Sequence, residues 1–174
     1  FSLVLAAPIV VSVIGSLETR GTGPTGLAPT WWIVLGPLGQ SVTAACLLAH
    51  VATGVTGAAT AGVLGALAHD YALAVWAAAV IWIVVATAIT ARSVRRGLPF
   101  GLTWWSFTFP LGTFVTGSSA LAATTGHTMF AVIAGAGFVA LFLAWGIVAA
   151  RTVAGIVDGA LLAAPAGARG TLGR

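Results

Sequence analysis

Ser106, Phe109, Thr113 and Thr116 recur at 3-4-3 spacing, so on a helix they share one narrow stripe. Shifted back by 73 residues, the same positions read Ile33, Gly36, Gln40 and Thr43. Such a lining is neutral and rich in hydroxyls. It can contact an anion weakly at several points, where a fixed cation would capture it. Phe109 is the one large aromatic in the stripe, and an aromatic at a constriction can gate by excluding water. The other chemistry-bearing groups are His50, His69, Asp70 and His127. No two of these histidines stand at the i, i+4 spacing of a helical metal site, although His69 and His127 fall on the same side near Asp70. Cys46 is the only cysteine, which excludes an intrachain disulfide and a Cys-based metal site. Neither a catalytic set nor a metal or other cofactor is expected.

The stripes belong to a repeat. Residues 30–43 read TWWIVLGPLGQSVT and residues 103–116 read TWWSFTFPLGTFVT, without a gap at offset 73. Thr, Trp, Trp, Pro, Leu, Gly, Val and Thr are kept, eight positions of fourteen. Similarity at a fixed period signals one structural unit used more than once, and membrane carriers commonly build a central path from such copies. Pro37 and Pro110 lie six residues beyond the first Trp of each copy. A proline inside a helix removes a hydrogen bond and crowds the carbonyl four residues earlier, here Ile33 or Ser106. Gly39 and Gly112 follow, so both segments are expected to kink at matching depth, where freed backbone groups face protein or water.

Composition decides the solvent. The 174 residues are 59% hydrophobic and 6% charged, where a soluble domain carries about a quarter charged residues; an integral membrane protein is implied. Absence of Lys beside abundant Ala and Gly suggests a GC-rich bacterial genome. Residues 1–14 are apolar but too short for a crossing of about 20 residues and lack signal-peptide features; they read as the tail of a helix that starts earlier. A Gly/Pro-rich loop covers 15–29. Full crossings are expected at 31–53, 71–91, 104–124 and 128–150, with 54–68 either a helix extension or a loose connection. Residues 151–174 form a Gly/Ala-rich tail, mobile after Pro165.

Arginine placement tests this count. With loops alternating sides, Arg20, Arg92, Arg95, Arg96, Arg151, Arg169 and Arg174 all fall on one face. By the positive-inside rule that face is cytoplasmic. Nothing interleaves basic residues with aromatics as a nucleic-acid surface would. Polarity then sorts the helices. Residues 31–53 and 104–124 carry most of the hydroxyls and amides, whereas 71–91 and 128–150 are nearly bare of them. Polar faces turn inward and apolar ones outward in a membrane, so the two repeat-bearing helices are the inner pair. Hydroxyls bonded back to their own helix or joining neighbours are the plainer alternative.

The segments WWIVLGPLGQS and RRGLPFGLTWWSFTFPLGTF resemble the tellurite-resistance/dicarboxylate transporter family, which includes the slow-type anion channels, malate permeases and sulfite efflux pumps. GPLGQ at 36–40 and TFPLGTF at 108–114 look closest to the sulfite-efflux branch. The resemblance covers residues 31 to about 151. It implies an all-α integral membrane fold of ten helices in five hairpins around a central pore. This chain would supply the tail of helix six and helices seven to ten: residues 1–151 as the C-terminal half of the transport domain and 152–174 as a cytoplasmic tail. It further implies homotrimers with one pore per protomer, a small inorganic or organic anion as substrate (sulfite, malate or another C4-dicarboxylate, tellurite, or halide and nitrate), and residence in the plasma membrane. A phenylalanine on helix nine occludes the pore in the channel branch; Phe109 is the best match and Phe107 the second. The expected site is thus Phe109 as gate, Gly36, Gln40, Thr43, Ser106, Thr113 and Thr116 as lining, and Pro37, Gly39, Pro110 and Gly112 as kinks. A non-transporting membrane scaffold is the competing reading, and a membrane metal protein or enzyme built on the histidines a more distant one.

Overall fold

A computed structural model describes Ser12, Gly15, residues 25–159 and Leu161. All but Ser12 of the expected short helix at 1–14, most of the loop at 15–29, Arg20 and the tail after Pro165 lie outside the described residues. Four α-helices follow one another: α1 Leu35–Val55, α2 Ala58–Arg95, α3 Thr108–Thr125 and α4 Thr128–Val157, with no strand among the described residues. Two 3-10 segments lead into the inner pair, η1 Thr25–Val34 into α1 and η2 Leu102–Phe107 into α3.

The change from 3-10 to α geometry falls at the same point of both repeats. Leu35 and Thr108, the first α-helical residues, are 73 apart, the repeat offset. Pro37 and Pro110 are therefore each the third residue of an α-helix. There a proline forfeits no intrahelical bond, because the first N–H groups have no partner within the helix. The expected kinks are thus changes of helix type: Ile33 and Ser106 sit in the tighter 3-10 turns that precede each proline.

Gly26–Val55, Ala58–Arg95 and Thr128–Val157 are each long and apolar enough to cross a membrane. The α3 helix is shorter, 18 residues, and carries Thr108, Thr113, Thr116, Ser118, Ser119, Thr124 and Thr125. Joined to η2 it makes a rod of roughly 39 Å at about 2.0 and 1.5 Å per residue, longer than the ~30 Å hydrocarbon core. Its polarity is what an inner position requires. The doubtful stretch 54–68 resolves into a break at Thr56 and Gly57 followed directly by α2. The turn between α3 and α4 is equally tight: Gly126 ends α3 at φ 71° with its N–H on the Ala122 carbonyl, a left-handed cap that favours glycine. The α4 helix continues about two turns past Ala150 to Val157, so Arg151 and Thr152 are helical. The protein is an all-α, multi-pass membrane protein.

Packing orders the helices as a row, α2 beside α1, α1 beside α3 and α3 beside α4. Ala72, Ala79, Ala86 and Ser93 recur every seven residues on α2 and all are buried, a stripe of small residues that lets α1 lie close along its length. Three apolar layers fill the row: Val42, Cys46, Ala72, Leu121 and Phe130; then Leu35, Ala79 and Phe114; then Ala28, Trp31 and Ile89. Trp76 of α2 joins the two hairpins. Its ring stacks on Phe114 at 6.0 Å and meets Phe130 edge-on at 5.0 Å, and its Nε1–H donates to Ser118 Oγ at 2.9 Å.

The inner pair is closest at Gly39. A Cβ there would overlap the Thr113 carbonyl and lie 2.6 Å from Phe114 N, both backbone groups that cannot step aside. Its repeat equivalent, Gly112, differs: a Cβ would meet only Leu141 Cδ2, at 3.7 Å. Gly39→Ala should therefore destabilise the protein by about 1–3 kcal/mol, as overpacking does, while Gly112→Ala should leave it within about 0.5 kcal/mol. Thermal unfolding of both variants in detergent checks the pair; equal effects would contradict the packing.

Candidate functional site

Polar rungs climb the α1–α3 seam. Thr113 Oγ1 lies 3.2 Å from the Leu35 carbonyl, Thr43 and Thr116 meet hydroxyl to hydroxyl at 3.4 Å, and Thr124 Oγ1 lies 3.9 Å from Cys46 Sγ. The middle rung joins repeat-equivalent residues, and so does a contact nearer the prolines: a Cβ on Gly36 would sit 3.4 Å from Phe109 Cε1. The two inner helices thus lie parallel at one depth, equivalent residue beside equivalent residue.

Above this seam opens a groove of about 1040 Å³. It gathers Pro37, Gln40, Thr43, Phe109, Gly112, Thr113 and Thr116 of the residues expected from the sequence, together with Ser41, Ala44, Leu47, Thr108 and Val115. Phe109 is 63% exposed and projects into it. Gly39 lies in the seam instead, Gly36 is buried beside the Phe109 ring, Pro110 is buried, and Ser106 stays in η2, outside the groove. Phe138 and Leu141 of α4 complete the wall. Sequence reasoning placed their helix against lipid on every face; the two-residue turn at Gly126 and His127 was the signal that some of its side chains must reach the inner pair. His50, His69, Asp70 and His127 are exposed, and no three His, Cys, Asp or Glu side chains gather as a metal-binding group among the described residues.

The groove is thus walled by both copies of the repeated unit and by one face of α4. The family described as voltage-dependent anion channel matches residues 1–153. The chain belongs to that family. Two curated relatives, both uncharacterized transporters of Methanocaldococcus jannaschii, are 24% identical over 139 residues and 29% identical over 96. The first alignment covers 79% of this chain and 39% of the relative, the second 55% and 26%. The chain thus spans well under half the length of the curated relatives it matches. No solved structure matches it. Family and relatives point to transport and away from enzymatic catalysis.

In this voltage-dependent anion channel family member, each 3-10 lead is fastened to the helix that returns beside it. The second Trp of each repeat does this: Trp32 Nε1–H donates to Thr90 Oγ1 on α2 at 3.0 Å, and Trp105 Nε1–H donates to Thr152 Oγ1 on α4 at 3.2 Å. Further contacts fix the same level. Trp82 Nε1–H donates to the Trp31 carbonyl at 2.8 Å, and Thr103 Oγ1 donates to the Gly26 carbonyl at 3.2 Å, which ties η2 to η1. The Arg151 guanidinium lies 5.6 Å from the Trp104 ring centroid and 5.9 Å from that of Phe100, an attraction of cation to ring face. These bonds hold the leads at a set angle, and the leads aim Phe109. A double-mutant cycle of Trp105→Phe and Thr152→Val should give a coupling energy of about 0.5–1.5 kcal/mol, the net worth of one such bond. Trp32→Phe with Thr90→Val should match it, and a coupling near zero in both would deny the clamp.

Proposed function

We propose that the full-length protein conducts a small anion across the membrane along the α1–α3 groove, with Phe109 as its gate. The observation that carries this reading is the meeting of repeat-equivalent residues at the groove floor, Gly36 with Phe109 and Thr43 with Thr116. A large exposed aromatic set against a glycine can swing on its own side-chain torsions, because Gly36 presents no side chain to obstruct it. Among the described residues the groove holds no Lys, Arg, Asp or Glu, so an anion meets neutral groups and leaves readily.

On this reading Gln40, Thr43, Thr113 and Thr116 line the path, with Gly36 beside the gate. Pro37 and Pro110 set where each inner helix changes type, Gly39 joins the inner pair, and Gly112 leaves room for Leu141 of α4. Ser106 acts from η2, on the cytoplasmic approach. The inner pair is two members of a larger ring, in ten helices of five hairpins, with residues 1–151 in the transport domain and 152–174 as a cytoplasmic tail. Sulfite, C4-dicarboxylates such as malate, tellurite, and halide or nitrate are the candidate substrates. A homotrimer in a bacterial plasma membrane, C-terminus inside, is the proposed assembly.

Flux assays on full-length protein in proteoliposomes test this with sulfite, malate, nitrate and chloride at two pH gradients. Phe109→Ala should raise flux at least about tenfold, equivalent to removing a barrier of ~1.4 kcal/mol. The ranking of anions then assigns the substrate class, and dependence on the gradient separates a coupled carrier from a passive channel. A correctly inserted protein that passes none of these anions, with or without Phe109, would favour the scaffold reading.

A further inference from the structure

The groove has hydroxyls on both inner helices, but their protons already have acceptors. Ser41 Oγ donates to the Leu38 carbonyl at 2.9 Å and Thr43 Oγ1 to Gly39 at 3.1 Å. On α3, Thr108 donates to the Trp105 carbonyl at 2.8 Å, Thr113 to Pro110 at 2.7 Å and Thr116 to Thr113 at 3.0 Å. A hydroxyl has a single O–H. Once that proton points to a helix carbonyl, the oxygen turns lone pairs to the groove, and lone pairs repel an anion. The hydroxyls therefore make the wall polar without making it a donor surface.

Gln40 differs in kind. Its side chain is exposed in the same groove and has no hydrogen-bond partner among the described residues. A carboxamide carries two N–H donors, and here both are available. Position matters too: Gln40 is the repeat equivalent of Thr113, 73 residues on, and Thr113 is buried with its hydroxyl turned to the backbone. The repeat thus holds one open amide and one closed hydroxyl where sequence symmetry alone would offer two like sites.

We propose that the Gln40 amide is the side-chain donor that binds the permeating anion and sets the preference among anions, while the threonines serve as scaffold. This rests on the proposed conduction of anions through the groove and names the group that recognises them. Gln40 binds the charge through an N–H group set about one turn from the Thr43–Thr116 rung. The two N–H bonds of the amide diverge, so one anion takes one of them, and an oxyanion, whose lone pairs point at that hydrogen, gains more from it than a spherical halide does.

The test measures half-saturating concentrations of nitrate and chloride for flux into proteoliposomes holding the full-length protein. Gln40→Met keeps the length and removes both donors. It should raise the nitrate value about tenfold, the scale of one hydrogen bond to a charged group, and the chloride value by less. Gln40→Asn, which keeps the amide, should stay within about threefold of the parent. Equal half-saturation in the parent and Gln40→Met, with flux intact, would overturn the assignment and leave the conduction reading standing. So would loss of flux in Gln40→Met and Gln40→Asn alike, the result expected if the amide only joins a neighbouring helix. No flux of either anion in the parent protein would overturn the conduction reading itself, and this assignment with it.

Discussion

At Gly39 the backbone of α1 approaches that of α3 more closely than any side chain would allow, and a second glycine, Gly117, faces the Gly39 carbonyl from the other side: a Cβ there would lie 2.9 Å from that oxygen. Two glycines from opposing helices create this approach. It matters because helices in lipid gain little by hiding apolar surface from a solvent that is itself apolar; close packing and interhelical hydrogen bonds must hold them together. Once the backbones are this near, Thr113 reaches the Leu35 carbonyl and Thr43 reaches Thr116. The groove is the space left where the helices diverge from that contact, and Phe109 stands over it because its neighbour across the seam is Gly36. Widening the crossing by one methyl would disturb every one of these features.

The hydroxyl-rich sequence of α3 serves two ends. Facing α2, Ser118 is fully buried; it donates to the Phe114 carbonyl and accepts from the Trp76 indole, satisfying a polar atom that lipid would penalise by several kcal/mol if left alone. Facing the groove, Thr116 and Thr43 are only partly covered. Polarity in a membrane helix is therefore no simple index of a wet surface. Here the same residue types act as packing partners on one side and as groove wall on the other, and only the neighbours tell them apart.

That distinction also marks what could be read from the letters. The repeat was legible because offset 73 keeps both Trp, the Pro and the Gly in register, and with it came most of the residues that the groove gathers. The 3-10 leads were not legible. TWWIV and TWWSF suit either helix type, and the choice depends on indole bonds to Thr90 and Thr152, which lie 58 and 47 residues away. Nor could Gly39 be told from Gly112, since both follow a Pro-Leu pair; one abuts backbone and the other a flexible leucine. Phe138 and Leu141 were hidden for the opposite reason, in a helix too uniformly apolar to show a preferred face. Ser106 fitted the stripe by α-helical spacing, but the turn before Pro110 is not α-helical, and the tighter winding carries it out of line.

Contact between equivalent residues carries one further consequence. Relating α1 to α3 takes a rotation with little translation along the helix axes, because Gly36 meets Phe109 and Thr43 meets Thr116 at equal depth. The faces that touch are nevertheless unlike: α1 offers Gly39 where α3 offers Thr113. A head-to-tail contact of that kind propagates. Repeated with a rise it builds an open spiral, and repeated without one it closes into a ring. In the ring of hairpins proposed for the full-length protein, the centre lies on the side onto which Phe109, Thr43 and Thr116 open. The gate, the rung and the axis of the proposed path thus follow from one geometric relation between two copies of the same fourteen residues.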